Sequence, residues 1–175
     1  MEIILIRHTT PNIKKGICYG QADIEVASTF EKEIQPILKE VPLNDTNISY
    51  YSSPLKRCAV LANELSEHIN FDNRLKELDF GDWELQNWNT ISKEELTVWM
   101  DDFVTIPAKN GESYLDLHKR TTAFLTDLQK NVTQKAIIIT HAGVIRSIWA
   151  YANKIPLKNS FELKLDYGAV IKLNL

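Results

Sequence analysis

Cysteine is nearly absent from this chain of 175 residues: Cys18 and Cys58 are the only two, and they form neither a CxxC pair nor part of a zinc-like cluster. That excludes a disulfide framework, and both are expected to be reduced thiols. Long hydrophobic runs are missing as well. Nothing approaches the ~18 consecutive apolar residues of a membrane span, and the apolar part of the opening MEIILIRHTT is too short for a secretory signal. Cytoplasmic residence and no membrane partner are the resulting expectations. An excess of positive charge is lacking, since the net charge is -3. This argues against non-specific nucleic-acid binding, but a pocket can still be positive on a negative protein, so an anionic small molecule is allowed. Repeats, low-complexity tracts and linkers are also missing. With 44% hydrophobic and 25% charged residues, the chain reads as one globular domain over residues 1–175. No feature specifies an oligomeric state.

What is there is an alternation of short buried-strand runs and amphipathic helices. Ile3 to Ile6, Asn47 to Tyr51, Ala136 to Ile139 and Ala169 to Leu173 read as strands. Val26, Phe30, Ile34, Ile37 and Leu38 recur at helical spacing, with Asp23 as candidate cap and Pro36 expected to bend or end the helix. Ser52-Ser53-Pro54 predicts a capping serine with proline at the first helical position, and Cys58, Leu61, Ala62, Leu65 and Ile69 line the face that follows. A longer helix opens at Gly111-Glu112-Ser113 with Leu117, Phe124, Leu125 and Leu128 inward, and another carries Val144, Ile145, Ile148 and Trp149. Residues 71–110 are less regular, hold Trp83, Trp88 and Trp99, and predict only a short helix around Lys93 to Trp99. The alternation predicts an α/β sandwich.

Chemistry concentrates at predicted strand ends. Arg7-His8 and Thr140-His141 each follow a buried strand, and Arg57 follows the junction Tyr51-Ser52-Ser53. Ligands of open α/β sheets bind outside the carboxyl ends of strands, so strands lying side by side would bring both histidines to one crevice. Two histidines with two arginines suit phosphoryl transfer. Arginine is a permanently charged donor fork for phosphate oxygens, and a neutral imidazole can act as nucleophile. Helix N-termini near Ser53 or Gly143 would add backbone donors. The leaving alkoxide still needs a proton from a carboxyl group.

Plainer readings exist for each residue. His8 alone could be structural, Arg7 could pair with an acid, and Ser53-Pro54 is explained as a cap. His68 and His118 are read as helical residues with structural or surface roles. A metal held by His8, His141 and a carboxylate is opposed by the two arginines beside it and by the lack of close-spaced ligand pairs.

These pieces, in order, resemble the histidine phosphatase superfamily, also called phosphoglycerate-mutase-like. They are LIRHTTP at Leu5 to Pro11, CYGQAD at Cys18 to Asp23, YSSPLKRC at Tyr51 to Cys58, LKELDFGDWE at Leu75 to Glu84, NGES at Asn110 to Ser113 and THAGVIR at Thr140 to Arg146. The resemblance implies a three-layer α/β/α sandwich with a mostly parallel central sheet, and the irregular region 71–110 lying over the active site. It implies a phosphatase acting through phosphohistidine, with His8 as nucleophile and Arg7 and Arg57 clamping phosphate. His141 would bind and stabilise the transferring group, and Glu77 would be the proton donor, with Asp79 as its rival. It implies no metal and no organic cofactor. Lys14 or Asn12 would stand in the place of a phosphate-contacting asparagine, and Leu85 departs from the usual glycine after WE. Within the superfamily, RHTTP, CYGQAD and FGDWE most resemble the alpha-ribazole phosphatase group, with Thr9 where many relatives have glycine. The implied partner is a small phosphate monoester, alpha-ribazole 5'-phosphate, in cobalamin nucleotide-loop assembly. A broader sugar- or metabolite phosphatase is the alternative, a phosphoglycerate mutase a lesser one, and a phosphate-ligand binding protein the non-enzyme reading.

Overall fold

The computed structural model describes residues 1–131 and 134–175. Five strands form one sheet: β1 (Glu2–Arg7), β2 (Ser49–Ser52), β3 (Ile69–Phe71), β4 (Lys135–Thr140) and β5 (Val170–Asn174), in the order β3-β2-β4-β1-β5. All pairings are parallel except that of β5 with β1. Among the described residues five α-helices accompany them: α1 (Phe30–Glu40), α2 (Lys56–Leu65), α3 (Lys93–Asp101), α4 (Tyr114–Asn131) and α5 (Ala142–Asn153).

The sheet is covered on both faces, which explains why β1 and β4 read as continuous apolar runs rather than alternations. Ile4, Ile6, Ile137 and Ile139 pack with Ile34 and Ile37 of α1 and with Cys58, Leu61 and Leu65 of α2. Their sequence neighbours Ile3, Leu5, Ala136 and Ile138 point the other way, against Leu117, Phe124 and Leu128 of α4 and Val144, Ile145 and Ile148 of α5. The fold is therefore a three-layer α/β/α sandwich with a largely parallel sheet. A third, small cluster of Cys18, Trp83, Ile91 and Ala108, flanked by Trp88, Leu96 and Trp99, supports the segment between β3 and α4. That segment is built from short 3-10 turns (Asn73–Leu75, Gly81–Trp83, Trp88–Thr90) and α3.

Several local expectations are corrected. Pro36 does not end α1, which continues to Glu40; the prolyl residue is exposed, while buried Ile34 and Ile37 hold the helix down. Val26 precedes the helix, in an isolated bridge to Pro11. Asp23 does not cap α1; its Oδ1 accepts from the Lys56 amide at 2.8 Å and so serves the start of α2. Ile69 begins β3, a strand the sequence reading missed because only three residues pair. His68 lies in the loop before it rather than on a helix. Cys18 and Cys58 are free and buried, and burial pushes the Cys18 thiol up to about 12 with Glu84 adding to it.

Candidate active site

Strand register brings the two histidines together. β1 and β4 are parallel neighbours with Arg7 opposite Thr140, so His8 and His141 leave the sheet side by side. The ladder continues one step further, with the His8 amide donating to Thr140 O at 3.0 Å and the Ser53 amide to Ile139 O at 2.9 Å. The imidazole centroids are 5.1 Å apart. His141 is the residue before α5, has extended backbone and does not cap the helix with its side chain, which leaves its ring for the site.

Ser53 has a different job from the one its sequence context suggests. The helix starts after Leu55, and Ser53 Oγ lies 2.8 Å from His141 Nε2. Pro54 falls before the first helical residue. Arg57, in the first turn of α2, is fully buried. It donates through Nη1 to Ala22 O (2.9 Å) and through Nη2 to Gly20 O (2.5 Å). Arg7 Nη1 donates to Leu165 O at 2.7 Å. The Nε groups of Arg7 and Arg57 and the hydroxyl of Thr9 are buried without a partner among the described residues.

The His8 ring is held in one tautomer. Its Nδ1 lies 2.7 Å from the Thr9 carbonyl, which can only accept, so the proton sits on Nδ1 and the Nε2 lone pair is free. Burial, then Arg57 and Arg7, lower the His8 pKa to about 3, against the opposing Thr9 hydrogen bond. Burial followed by Arg57 and His8 drives His141 well below the ordinary histidine value. Both rings are neutral at physiological pH.

Glu77 reaches the site from the irregular segment. Its Oε2 accepts from the Gly143 amide in the first turn of α5 at 3.0 Å, and Oε1 accepts from Leu78 N at 3.0 Å. The carboxyl group is thus seated against the first turn of α5. Asp79, the rival, points elsewhere: its Oδ1 accepts from Gly81 N at 2.8 Å within a turn, and it does not line the cavity. Lys14 and Asn12 are exposed and do not line it either.

Arg7, His8 and Glu77 share a cavity of about 490 Å³ with an aromatic far wall of Phe80, Trp88, Trp99 and Phe103. Part of the segment 71–110 thus lines this cavity. Tyr19 and Tyr167 close one flank: their hydroxyls are 2.6 Å apart, Arg7 lies 4.1 Å from the Tyr167 ring centroid, and Arg57 5.4 Å from that of Tyr19.

Two supporting residues escaped the sequence reading. Arg120 of α4 donates to the carbonyls of Arg74, Lys76 and Glu77 and forks onto both oxygens of Glu112, fixing the approach to Glu77. Its signal was a charge placed between Leu117 and Phe124 on the apolar face of the helix. Glu84 accepts from the amides of Gly20, Gln21, Ala22 and Phe80, and so holds the loop whose carbonyls orient Arg57. Its signal was position alone, directly after a buried tryptophan. Among the described residues there is no group of three or more His, Cys, Asp or Glu side chains able to hold a metal ion, and no helix long and apolar enough to cross a membrane.

The family model of the histidine phosphatase superfamily (branch 1) matches residues 3–175. Among curated proteins, phosphoserine phosphatase 1 of Hydrogenobacter thermophilus is 23% identical, over 95% of this chain and 82% of its own. Among solved structures, the alpha-ribazole phosphatase from Shigella flexneri superposes with a TM-score of 0.88 at 22% identity, covering 100% of this chain and 91% of that one. A mycobacterial glucosyl-3-phosphoglycerate phosphatase gives 0.82 at 21% identity, covering 98% and 88%. The structural likenesses establish the fold.

Proposed function

This chain belongs to the histidine phosphatase superfamily, and on that premise we propose that it hydrolyses a phosphate monoester through a phosphohistidine on His8, with alpha-ribazole 5'-phosphate as its substrate. The observation that carries the reading is the fixed tautomer of a neutral His8, whose pKa is lowered by burial, by the buried Arg57 and by the half-buried Arg7. In the first step Nε2 attacks phosphorus, the P–O bond to the alcohol breaks, and a protonated Glu77 gives its proton to the departing oxygen. In the second, Glu77 takes a proton from water as its oxygen attacks phosphorus; the P–N bond breaks and inorganic phosphate leaves. Arg7, Arg57 and His141 offset charge on the equatorial oxygens. An entering oxyanion also supplies acceptors for the orphaned donors of Arg7, Arg57 and Thr9.

The far wall bears on the alcohol half. Phe80, Trp88, Trp99 and Phe103 offer flat apolar surface, suited to stacking an aromatic bicyclic base. The motifs RHTTP, CYGQAD and FGDWE support the same substrate. Rapid quenching with 32P-labelled alpha-ribazole 5'-phosphate is expected to trap an acid-labile, alkali-stable label on the wild type and none on His8→Ala. Label retained by that variant would overturn the nucleophile. Equal kcat/KM for sugar phosphates, nucleotides and glycerate phosphates would replace this substrate by a broad phosphatase activity.

A further inference from the structure

Arg146 lines the cavity together with Arg7, and nothing in the two chemical steps uses it. It lies on α5 three residues after Gly143, so the two project from the same side of the helix, and both line the cavity. The side chain is half-buried, and its pKa is lowered by burial first and by Arg7 second. No carboxylate lies within ion-pair distance of it among the described residues. Its guanidinium is nevertheless held in place: Nε donates to Leu163 O at 3.2 Å, and Cζ lies 4.8 Å from the Phe161 ring centroid. Both Nη groups lack an acceptor in the described residues. A half-buried cation without a carboxylate partner has donors to spare, and a fixed donor fork at a cavity wall is the arrangement that meets a ligand oxygen.

Its place relative to Glu77 says which part of the ligand. The Gly143 amide holds the carboxyl group assigned to the leaving oxygen, and Arg146 is about one helical turn beyond it. We propose that Arg146 is a specificity-determining residue that donates to oxygen acceptors on the alcohol half of the substrate, a few bonds from the ester oxygen, such as the hydroxyls of a ribose. The inference rests on the phosphomonoesterase reading but not on the identity of the base. The class of substrate is then a phosphate ester of a polyol carrying a flat apolar group: the first part met by Arg146, the second by the aromatic wall.

The test compares Arg146→Met and Arg146→Lys with the wild type on adenosine 5'-monophosphate, ribose 5-phosphate and benzyl phosphate, the last having no acceptor on its alcohol. Removing a charge-assisted donor should lower kcat/KM for the two ribose esters about 10- to 100-fold, mainly through KM, and leave benzyl phosphate within about twofold. Lysine should restore part of the loss. An equal loss on all three esters, or a shifted pH profile with benzyl phosphate, would overturn the proposal by showing that Arg146 acts through Glu77. No loss on any of them would overturn it as well. Failure of the phosphatase reading itself is distinct, since the wild type would then release no phosphate from benzyl phosphate.

Discussion

Gly143 leaves no room for a side chain beside Glu77: a Cβ at that position would lie 2.3 Å from Glu77 Oε1, while the glycine amide donates to Oε2 at 3.0 Å. The second residue of α5 thus shapes the seat of the carboxyl group by lacking a Cβ. Replacing glycine by alanine inside a helix ordinarily stabilises it by ~1 kcal/mol. Here the same change must displace the group assigned to proton transfer.

Gly143→Ala is therefore expected to keep or raise the melting temperature while lowering kcat on alkyl phosphates about 10- to 100-fold. Inhibition by inorganic phosphate should be unchanged, because the arginines are untouched. Glu77→Gln should reproduce the kinetic defect, most strongly for poor leaving groups. Wild-type turnover by Gly143→Ala would show that the carboxyl position does not govern the reaction.

Glu84→Ala strands four amides, those of Gly20, Gln21, Ala22 and Phe80. Two of these residues present the carbonyls that hold Arg57. A loss of ~2–4 kcal/mol in urea unfolding is expected, together with a roughly tenfold weaker inhibition by inorganic phosphate. Destabilisation with unaltered phosphate affinity would separate the loop from the arginine and sink the relay.

Stability should depend on pH through the two buried histidines. Their folded pKa values are depressed, to about 3 for His8 and well below the ordinary value for His141. As pH falls from ~6.5 the unfolded chain takes up protons that the folded chain refuses, so stability declines by ~1.4 kcal/mol per pH unit for each histidine. Between about pH 6 and 5 most carboxylates are still ionised, so urea melts there report on the histidines, with His118, lowered by burial, adding in the same direction. His8→Asn should make the slope shallower by ~1.4 kcal/mol per unit. The same slope in that variant would mean that His8 is charged in the folded protein.

Much of the candidate site's placement was legible because strand ends are legible. The runs before His8 and His141 are apolar and branched, as strands buried on both faces must be, and each ends at a polar residue. The supporting cast was harder to read. Arg120 and Glu84 act on backbone atoms from distant segments, and a backbone contact leaves no trace in local periodicity. Ser53 was misread for a related reason: its pattern with Pro54 satisfies a local capping rule, while the tertiary contact with His141 claims its hydroxyl. Asp23 was assigned to the wrong helix because α2, 33 residues on, lies closer in space.

By itself the sequence determined the layers, since hydrophobic period and strand length decide which faces must be buried, and it determined the chemical groups on offer. Tertiary structure decided which of those groups meet. Strand register set His8 against His141, the folded-back segment placed Glu77 against Gly143 and Asp79 within a turn, and Trp83, Trp88 and Trp99 became an aromatic cluster of which the last two line the cavity. The physical reason is range: propensity and periodicity act over a few residues, whereas desolvation of an arginine or a histidine depends on everything that the completed fold places around it.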